Sequence, residues 1–117
     1  MATTEIARHL TVEGRDIALD PEGYLVELAD WSPAVAERLA AEEGLTLVDE
    51  HWEVIEVLRD FYARFEQAPA MRPLVKAVGL ALGPEKGRSI HLMRLFPGSP
   101  AKVAARLAGL PKPANCL

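Results

Sequence analysis

Residues 49–67, DEHWEVIEVLRDFYARFEQ, decide the fold class. Trp52, Ile55, Leu58, Tyr62 and Phe65 recur at helical spacing with Phe61 beside them, and no strand-like alternation competes. The stretch predicts the longest helix of the protein, with that aromatic and aliphatic stripe as its buried face and the helix as the centre of the core. Asp49 and Glu50 suit the positive end of its dipole, although Val48 stands where a capping Ser or Thr would serve better. His51, in the first turn, reads as a partly exposed side chain rather than a reactive imidazole.

Outward on the N-terminal side, WSPAVAERLAAEEGL (31–45) places Ser32 as an N-cap, Pro33 at the first helical position and Gly44 just past the end. Before it, LTVEGRDIALDPEGYL (10–25) alternates apolar and polar residues around Glu13-Gly14-Arg15-Asp16, with Leu10, Val12, Ile17 and Leu19 as the apolar members. That pattern predicts a β-hairpin, followed by a turn at Asp20-Pro21-Glu22-Gly23.

On the C-terminal side, Met71, Leu74, Val75, Val78 and Leu82 form a second helical stripe. Pro73 within its first two turns is expected to remove a hydrogen bond and bend the start. After the loop GPEKGRS (83–89), IHLMRLF reads as a short helix or turn. Ser99-Pro100 then opens a last helix that stops at Gly109. Pro111 and Pro113 forbid helix in the tail LPKPANCL. From Gly109 to Cys116 is seven residues, a reach of up to roughly 20 Å at about 3.1 Å per residue. The expected organisation is one mainly α (α+β) domain over 1–109, a helical bundle with an N-terminal β-hairpin, and a flexible C-terminal arm over 110–117.

At 117 residues and half hydrophobic, the chain is large enough for one core without disulfides or metal. Its single cysteine suits a reducing, cytoplasmic compartment, and no apolar run approaches the roughly 18 residues of a membrane helix. The net charge of −4 divides unevenly. Residues 1–60 carry 15 acidic and 4 basic side chains, and residues 61–117 carry 2 acidic and 9 basic. Either one face meets an anionic partner, or the two halves attract each other within the fold.

Few chemistries find support. His9, His51 and His91 are too scattered for a local metal motif, and one cysteine cannot supply a zinc cluster. No nucleophile elbow, P-loop or dinucleotide-binding glycine pattern is present. Carboxylates of the first half lie mostly between apolar helix positions, as solvated faces do. Two consecutive helices around 49–66 and 69–82, with Arg72 and Lys76 on the second, allow a DNA-binding helix-turn-helix as a minor alternative, against an acidic pI near 5.4. Cys116 stands apart. A penultimate thiol after Pro-x-Pro is poorly placed to fill a core, and a thiol on an arm suits covalent transfer of sulfur. Lys112 and the basic half favour its thiolate, whereas the terminal carboxylate opposes it. A reference pKa near 8.5 leaves only a few per cent thiolate at neutral pH, which suits a carrier activated by its partner.

The ordered blocks PEGYLVELADWSP, DEHWEVIEVLRDFY, APAMRPLVKAVG, GPEKGRS, RLFPGSPAK and AGLPKPANCL resemble the DsrC/TusE family of sulfur-carrier proteins, from about residue 10 to the end. The resemblance implies an orthogonally packed helical domain with a hairpin and an arm, in which Cys116 accepts sulfur as a persulfide, with no cofactor. In the TusE branch the implied donor is a TusBCD complex and the acceptor an MnmA enzyme that thiolates the tRNA wobble uridine. In the DsrC branch the implied partners are dissimilatory sulfite reductase and a DsrEFH-like donor, and a second cysteine eleven residues before the penultimate one pairs with it. That position is Ala105 here, which favours the one-cysteine relay and leaves only intermolecular disulfides on oxidation. Arg72, Lys76, Lys86, Lys102 and Lys112 match basic positions of the family blocks and are candidates for a partner-binding surface around the arm. Pro73 replaces a usually apolar residue.

Overall fold

Leu10, Val12, Ile17 and Leu19 share one buried face in the computed structural model, which describes residues 5–114. Strands β1 (Arg8–Val12) and β2 (Arg15–Leu19) pair antiparallel with Leu10 opposite Ile17. The two-residue connection Glu13-Gly14 has φ of 51° and 78°, the positive values that match the twist of a tight hairpin. Asp20 ends the hairpin: its Oδ1 accepts the backbone N–H groups of Glu22 and Tyr24, each at 2.9 Å. This side chain holds the turn that Pro21 and Gly23 permit.

Five helices follow a short 3₁₀ turn at Leu28–Asp30: α1 (Pro33–Glu42), α2 (Asp49–Phe65), α3 (Met71–Leu82), α4 (Ser89–Leu95) and α5 (Pro100–Leu107). Ser32 Oγ accepts the N–H of Val35 at 3.2 Å, so α1 starts on the expected cap. Helix α3 corrects the expectation about Pro73. Its first helical hydrogen bond is from Leu74 N–H to the Ala70 carbonyl, so Pro73 falls among first-turn positions whose N–H has no partner within a helix. The proline therefore removes no hydrogen bond.

Three other expectations change. Helix α2 is the longest, but α5 is the centre of the core, touching α1, α2, α3 and α4. Ala101, Ala104, Ala105 and Ala108 are all at most 2 % exposed; their small side chains let neighbouring helices approach closely, a quality that hydrophobic periodicity does not weigh. The buried stripe of α2 is His51, Val54, Ile55 and Leu58 with Val57, while Phe65, expected in the core, is 57 % exposed. Glu66 beyond it turns left-handed at φ 54° and ends the helix, and the Phe65 ring rests on Phe61, 4.6 Å between centroids, with its outer face in solvent. His51, expected to be partly exposed, is buried. Its Nδ1 accepts the Val48 N–H at 3.0 Å, and Nε2 lies 2.9 Å from the Leu95 carbonyl. The first bond fixes the tautomer, so Nε2 carries the proton and donates it to Leu95. A neutral imidazole thus supplies the reciprocal half of a capping box that Val48 cannot make, and packs edge-on against Phe96.

Candidate functional site at the root of the C-terminal arm

Helix α5 stops because Gly109 adopts φ 73°, the left-handed geometry of a C′ residue. Gly109 N–H bonds the Arg106 carbonyl at 3.1 Å and Leu110 N–H bonds the Ala105 carbonyl at 2.9 Å, the paired closing bonds of a Schellman end. Leu110 is 2 % exposed and belongs to the core cluster, so the arm starts from a buried anchor.

Side chains from the first half hold the remaining carbonyls of that helix end. Trp31 Nε1–H donates to the Leu107 carbonyl at 2.8 Å, and Arg59 Nη1–H donates to the Ala108 carbonyl at 2.7 Å. The guanidinium also lies 3.8 Å from the Trp31 ring centroid. A cation at a helix C-terminus and over an indole face is favoured twice. Burial lowers the pKa of Arg59 from its ordinary value; a guanidinium nevertheless stays charged. The indole lies so close to Gly109 that a β-carbon there would sit 2.3 Å from Trp31 Cδ1.

The turn at 20–24 clasps the same helix. Arg106 is 9 % exposed and donates from Nε to the Gly23 carbonyl at 2.8 Å, from Nη1 to Glu43 at 2.7 Å and from Nη2 to Glu42. Tyr24 Oη–H donates to the Lys102 carbonyl at 3.2 Å. Beyond the root, Pro113 is buried and Lys112 Nζ pairs with Glu22 at 2.9 Å. The arm therefore leaves along the Asp20–Gly23 turn. Cys116 lies outside the described residues, as does the last part of the arm expected to be flexible.

The uneven charge now has a structural counterpart. Arg106 to Glu42 and Glu43, Lys86 to Glu53 and Lys112 to Glu22 all join the basic half to the acidic half. Hydrogen bonds from Arg8, and then from Arg106, bring the Glu42 carboxyl down to about 2 against the opposing effect of burial. The Glu53 carboxylate raises Lys86 above the usual lysine range.

The basic residues expected around the arm do not share one place. Lys112 is on the arm, and half-buried Lys102 is in α5 where Tyr24 holds its carbonyl. Lys86 is in the loop before α4, engaged with Glu53. Arg72 and Lys76 are exposed on α3. Lys76 lines a groove between α2 and α3 with Val57, Phe61 and Arg64. These α2 residues lie on the opposite side of the helix from Arg59, because successive residues turn by about 100°. Sequence reading missed Trp31, Arg59 and Arg106. Arg59 interrupts the apolar stripe of α2 next to Leu58, and that interruption was the only local sign of a second buried contact. Among the described residues, no cluster of His, Cys, Asp and Glu is arranged to hold a metal ion, and no helix is long and apolar enough to cross a membrane.

A family model described as DsrC like protein matches residues 11–117. Two sulfurtransferase TusE proteins, from Salmonella typhimurium and Escherichia coli K12, are 52 % and 51 % identical over 108 residues, covering 92 % of this chain and 99 % of theirs. Among solved structures, DsrC of Allochromatium vinosum superposes with a TM-score of 0.86 at 50 % identity over 94 % of this chain and 98 % of that one. The oxidized gamma-subunit of the dissimilatory sulfite reductase from Archaeoglobus fulgidus gives 0.81 at 38 %, over 93 % and 99 %.

Proposed function

The chain belongs to the DsrC-like protein family, and from that membership we propose that it is a sulfur relay protein whose carrier atom is the Sγ of Cys116. The observation that carries this reading is the arm itself. The protein's one thiol stands at the penultimate position of a segment whose root Trp31 and Arg59 fix to the end of α5. Residues 1–109 act as the folded base and 110–117 as the carrier arm, with Leu110 and Pro113 its anchors on the domain.

The exchange is a nucleophilic displacement at sulfur. The Cys116 thiolate attacks the outer sulfur of a donor persulfide, a new S–S bond forms, the donor's S–S bond breaks, and the donor leaves as a thiolate. Cys116 then carries the persulfide. An acceptor thiolate repeats the displacement and restores the Cys116 thiolate, so the relay needs no net oxidant. The acceptor is an MnmA-like enzyme that 2-thiolates the tRNA wobble uridine, the donor is a TusBCD-like complex, and the setting is the cytoplasm. Lys102 and Lys112 border the arm and are the members of the basic set placed to meet a partner there.

The likeness to DsrC proteins favours a second reading, a carrier in dissimilatory sulfur metabolism. Ala105, a fully buried methyl in α5, leaves no second sulfur for the internal disulfide that the resemblance attaches to that branch.

Intact-mass measurement of the reduced protein, after incubation with a persulfide-loaded cysteine desulfurase and relay proteins, tests the carrier step. A reducible gain of one sulfur atom is expected for the native chain and none for Cys116→Ser. Equal gain in both would reject the mechanism.

A further inference from the structure

On the side of α2 away from the arm root, the exposed ring of Phe65 is part of a larger feature. Helices α2 and α3 enclose an open groove of about 490 Å³, lined by Val57, Phe61 and Phe65 on one wall and Pro73, Ala77 and Leu80 on the other. Leu80 is 80 % exposed and Phe65 57 %. Large apolar side chains left together in water on a small domain mark a contact surface. The groove shares no residue with the arm root built from Trp31, Arg59 and Gly109, and Lys76, expected around the arm, lines the groove instead.

Its occupant is constrained by shape and charge. Both walls are helices, whose mid-length backbone groups are already bonded to each other, so the groove offers no free edge to an extended peptide. A segment that enters must satisfy its own backbone, which a helix does. The lining spans residues 57–65 of α2 and 73–81 of α3, about 12 Å along each axis at about 1.5 Å per residue, enough for two turns of a third helix. Arg64 and Lys76 stand in the two walls, and Arg72 lies one turn before Lys76 on α3. Among the described residues none of these three cations makes an ion pair, unlike Arg106, Lys86 and Lys112. Asp60 is the one acidic residue of the lining.

We propose that the α2–α3 groove is a docking site for an amphipathic helix of a partner protein, with apolar residues at i, i+4 and i+7 seated between Phe61, Phe65 and Leu80 and acidic residues flanking them to meet Arg64 and Lys76. The apolar floor favours a protein over a nucleic acid, whose backbone would find only the rim charges. Such a site holds a partner independently of the arm, so that the thiol is delivered from a chain already bound.

The test titrates the full-length ¹⁵N-labelled protein, kept reduced, with a lactam-stapled helical peptide carrying Leu at i, i+4 and i+7 and Glu on both flanks. A second peptide with Lys in place of every Glu runs in parallel. Expected are shifts of amides in 57–65 and 74–81, at least about tenfold weaker binding of the Lys peptide, and a loss of about tenfold for the acidic peptide with Lys76→Glu. Leu80→Asp, an exposed change that leaves the core untouched, should abolish the shifts. Equal binding of both peptides, no shifts at millimolar acidic peptide, or affinity unchanged by both variants would overturn the proposal. So would a dimer in sedimentation that Leu80→Asp dissolves, or a duplex RNA that shifts the same amides where the acidic peptide does not. None of these readouts uses Cys116, so the docking site and the sulfur relay stand or fall separately.

Discussion

Trp31 and Gly109 are in contact across 78 positions of sequence, and the contact exists only because Gly109 has no side chain. A methyl at 109 would meet the indole at 2.3 Å and would also sit at φ 73°. Both penalties fall on Gly109→Ala, which is expected to cost about 2–4 kcal/mol in urea unfolding, from left-handed strain and overpacking together. Because the same residue launches the arm, sulfur transfer should fall in the fraction that remains folded. Unchanged stability would show that the arm does not depend on this contact.

Arg59 and Trp31 each hold one carbonyl of the α5 end, so their loss should be read at the arm root first. Trp31→Phe keeps the ring and removes the bond to Leu107, at an expected cost of about 1–2 kcal/mol. Arg59→Ala removes the bond to Ala108 and the cation on the ring together. In both variants amide exchange at Leu110, whose N–H bonds Ala105, should speed up more than exchange in β2. Uniform acceleration across the chain would instead indicate global destabilisation.

Glu42 links stability to pH. Its carboxyl titrates at about 2 in the folded protein, chiefly through the hydrogen bonds of Arg8, and nearer 4.5 when unfolded. A depressed folded value means the stabilisation is fully present above the unfolded value and is lost as pH falls through the folded one. Stability should decline from about pH 5 toward pH 2. Glu42→Gln should flatten that decline and cost about 2 kcal/mol at pH 7, a figure reduced for the solvent around Arg8. Chemical denaturation of both proteins at pH 7 and pH 3 checks the sign. A native curve already flat over that interval would remove Glu42 from the explanation.

His51 was the hardest residue to read from sequence, and its case shows where legibility ended. The hairpin, the Ser32 cap and the stops at Gly44 and Gly109 follow from a few adjacent residues and are readable, whereas the hairpin's two-residue connection is tighter than the four residues 13–16 on which the alternation centres. The family blocks suggest a carrier arm and a carrier role for Cys116, which lies outside the described residues. The partners of His51, Trp31 and Arg106 lie 44, 76 and 83 residues away, and no local pattern encodes them. Helix α5 was underrated because alanine contributes little to a hydrophobic stripe while permitting the closest packing. Phe65 was misplaced because periodicity gives a helix face, not what covers the last turn. His51→Ala should cost about 2–4 kcal/mol, leaving the Val48 N–H and the Leu95 carbonyl without partners. His51→Gln, which restores an acceptor for the Val48 N–H, should recover part of it. Equal losses in thermal unfolding would mean that packing on Phe96, rather than the cap, is what matters.

Gly79 and Gly87 make an asymmetric pair, and the asymmetry is testable. Gly87, in the loop before α4, comes against α3 so closely that a β-carbon on it would lie 2.3 Å from Gly79 Cα and 2.7 Å from Gly79 N. Backbone cannot rotate aside as a side chain can, so Gly87→Ala must push the loop off α3, carrying Lys86 away from Glu53. The reverse change is different. A β-carbon on Gly79 meets Gly87 Cα at 3.6 Å, an ordinary contact, and Gly79 lies inside a helix where alanine is favoured by about 0.5–1 kcal/mol. Gly79→Ala is therefore expected to be neutral or stabilising, while Gly87→Ala loses about 1–3 kcal/mol. Urea unfolding of the two variants should shift in opposite directions or leave Gly79→Ala unmoved. A comparable loss in both would mean that α3 and the loop pack more tightly at Gly79 than these distances allow.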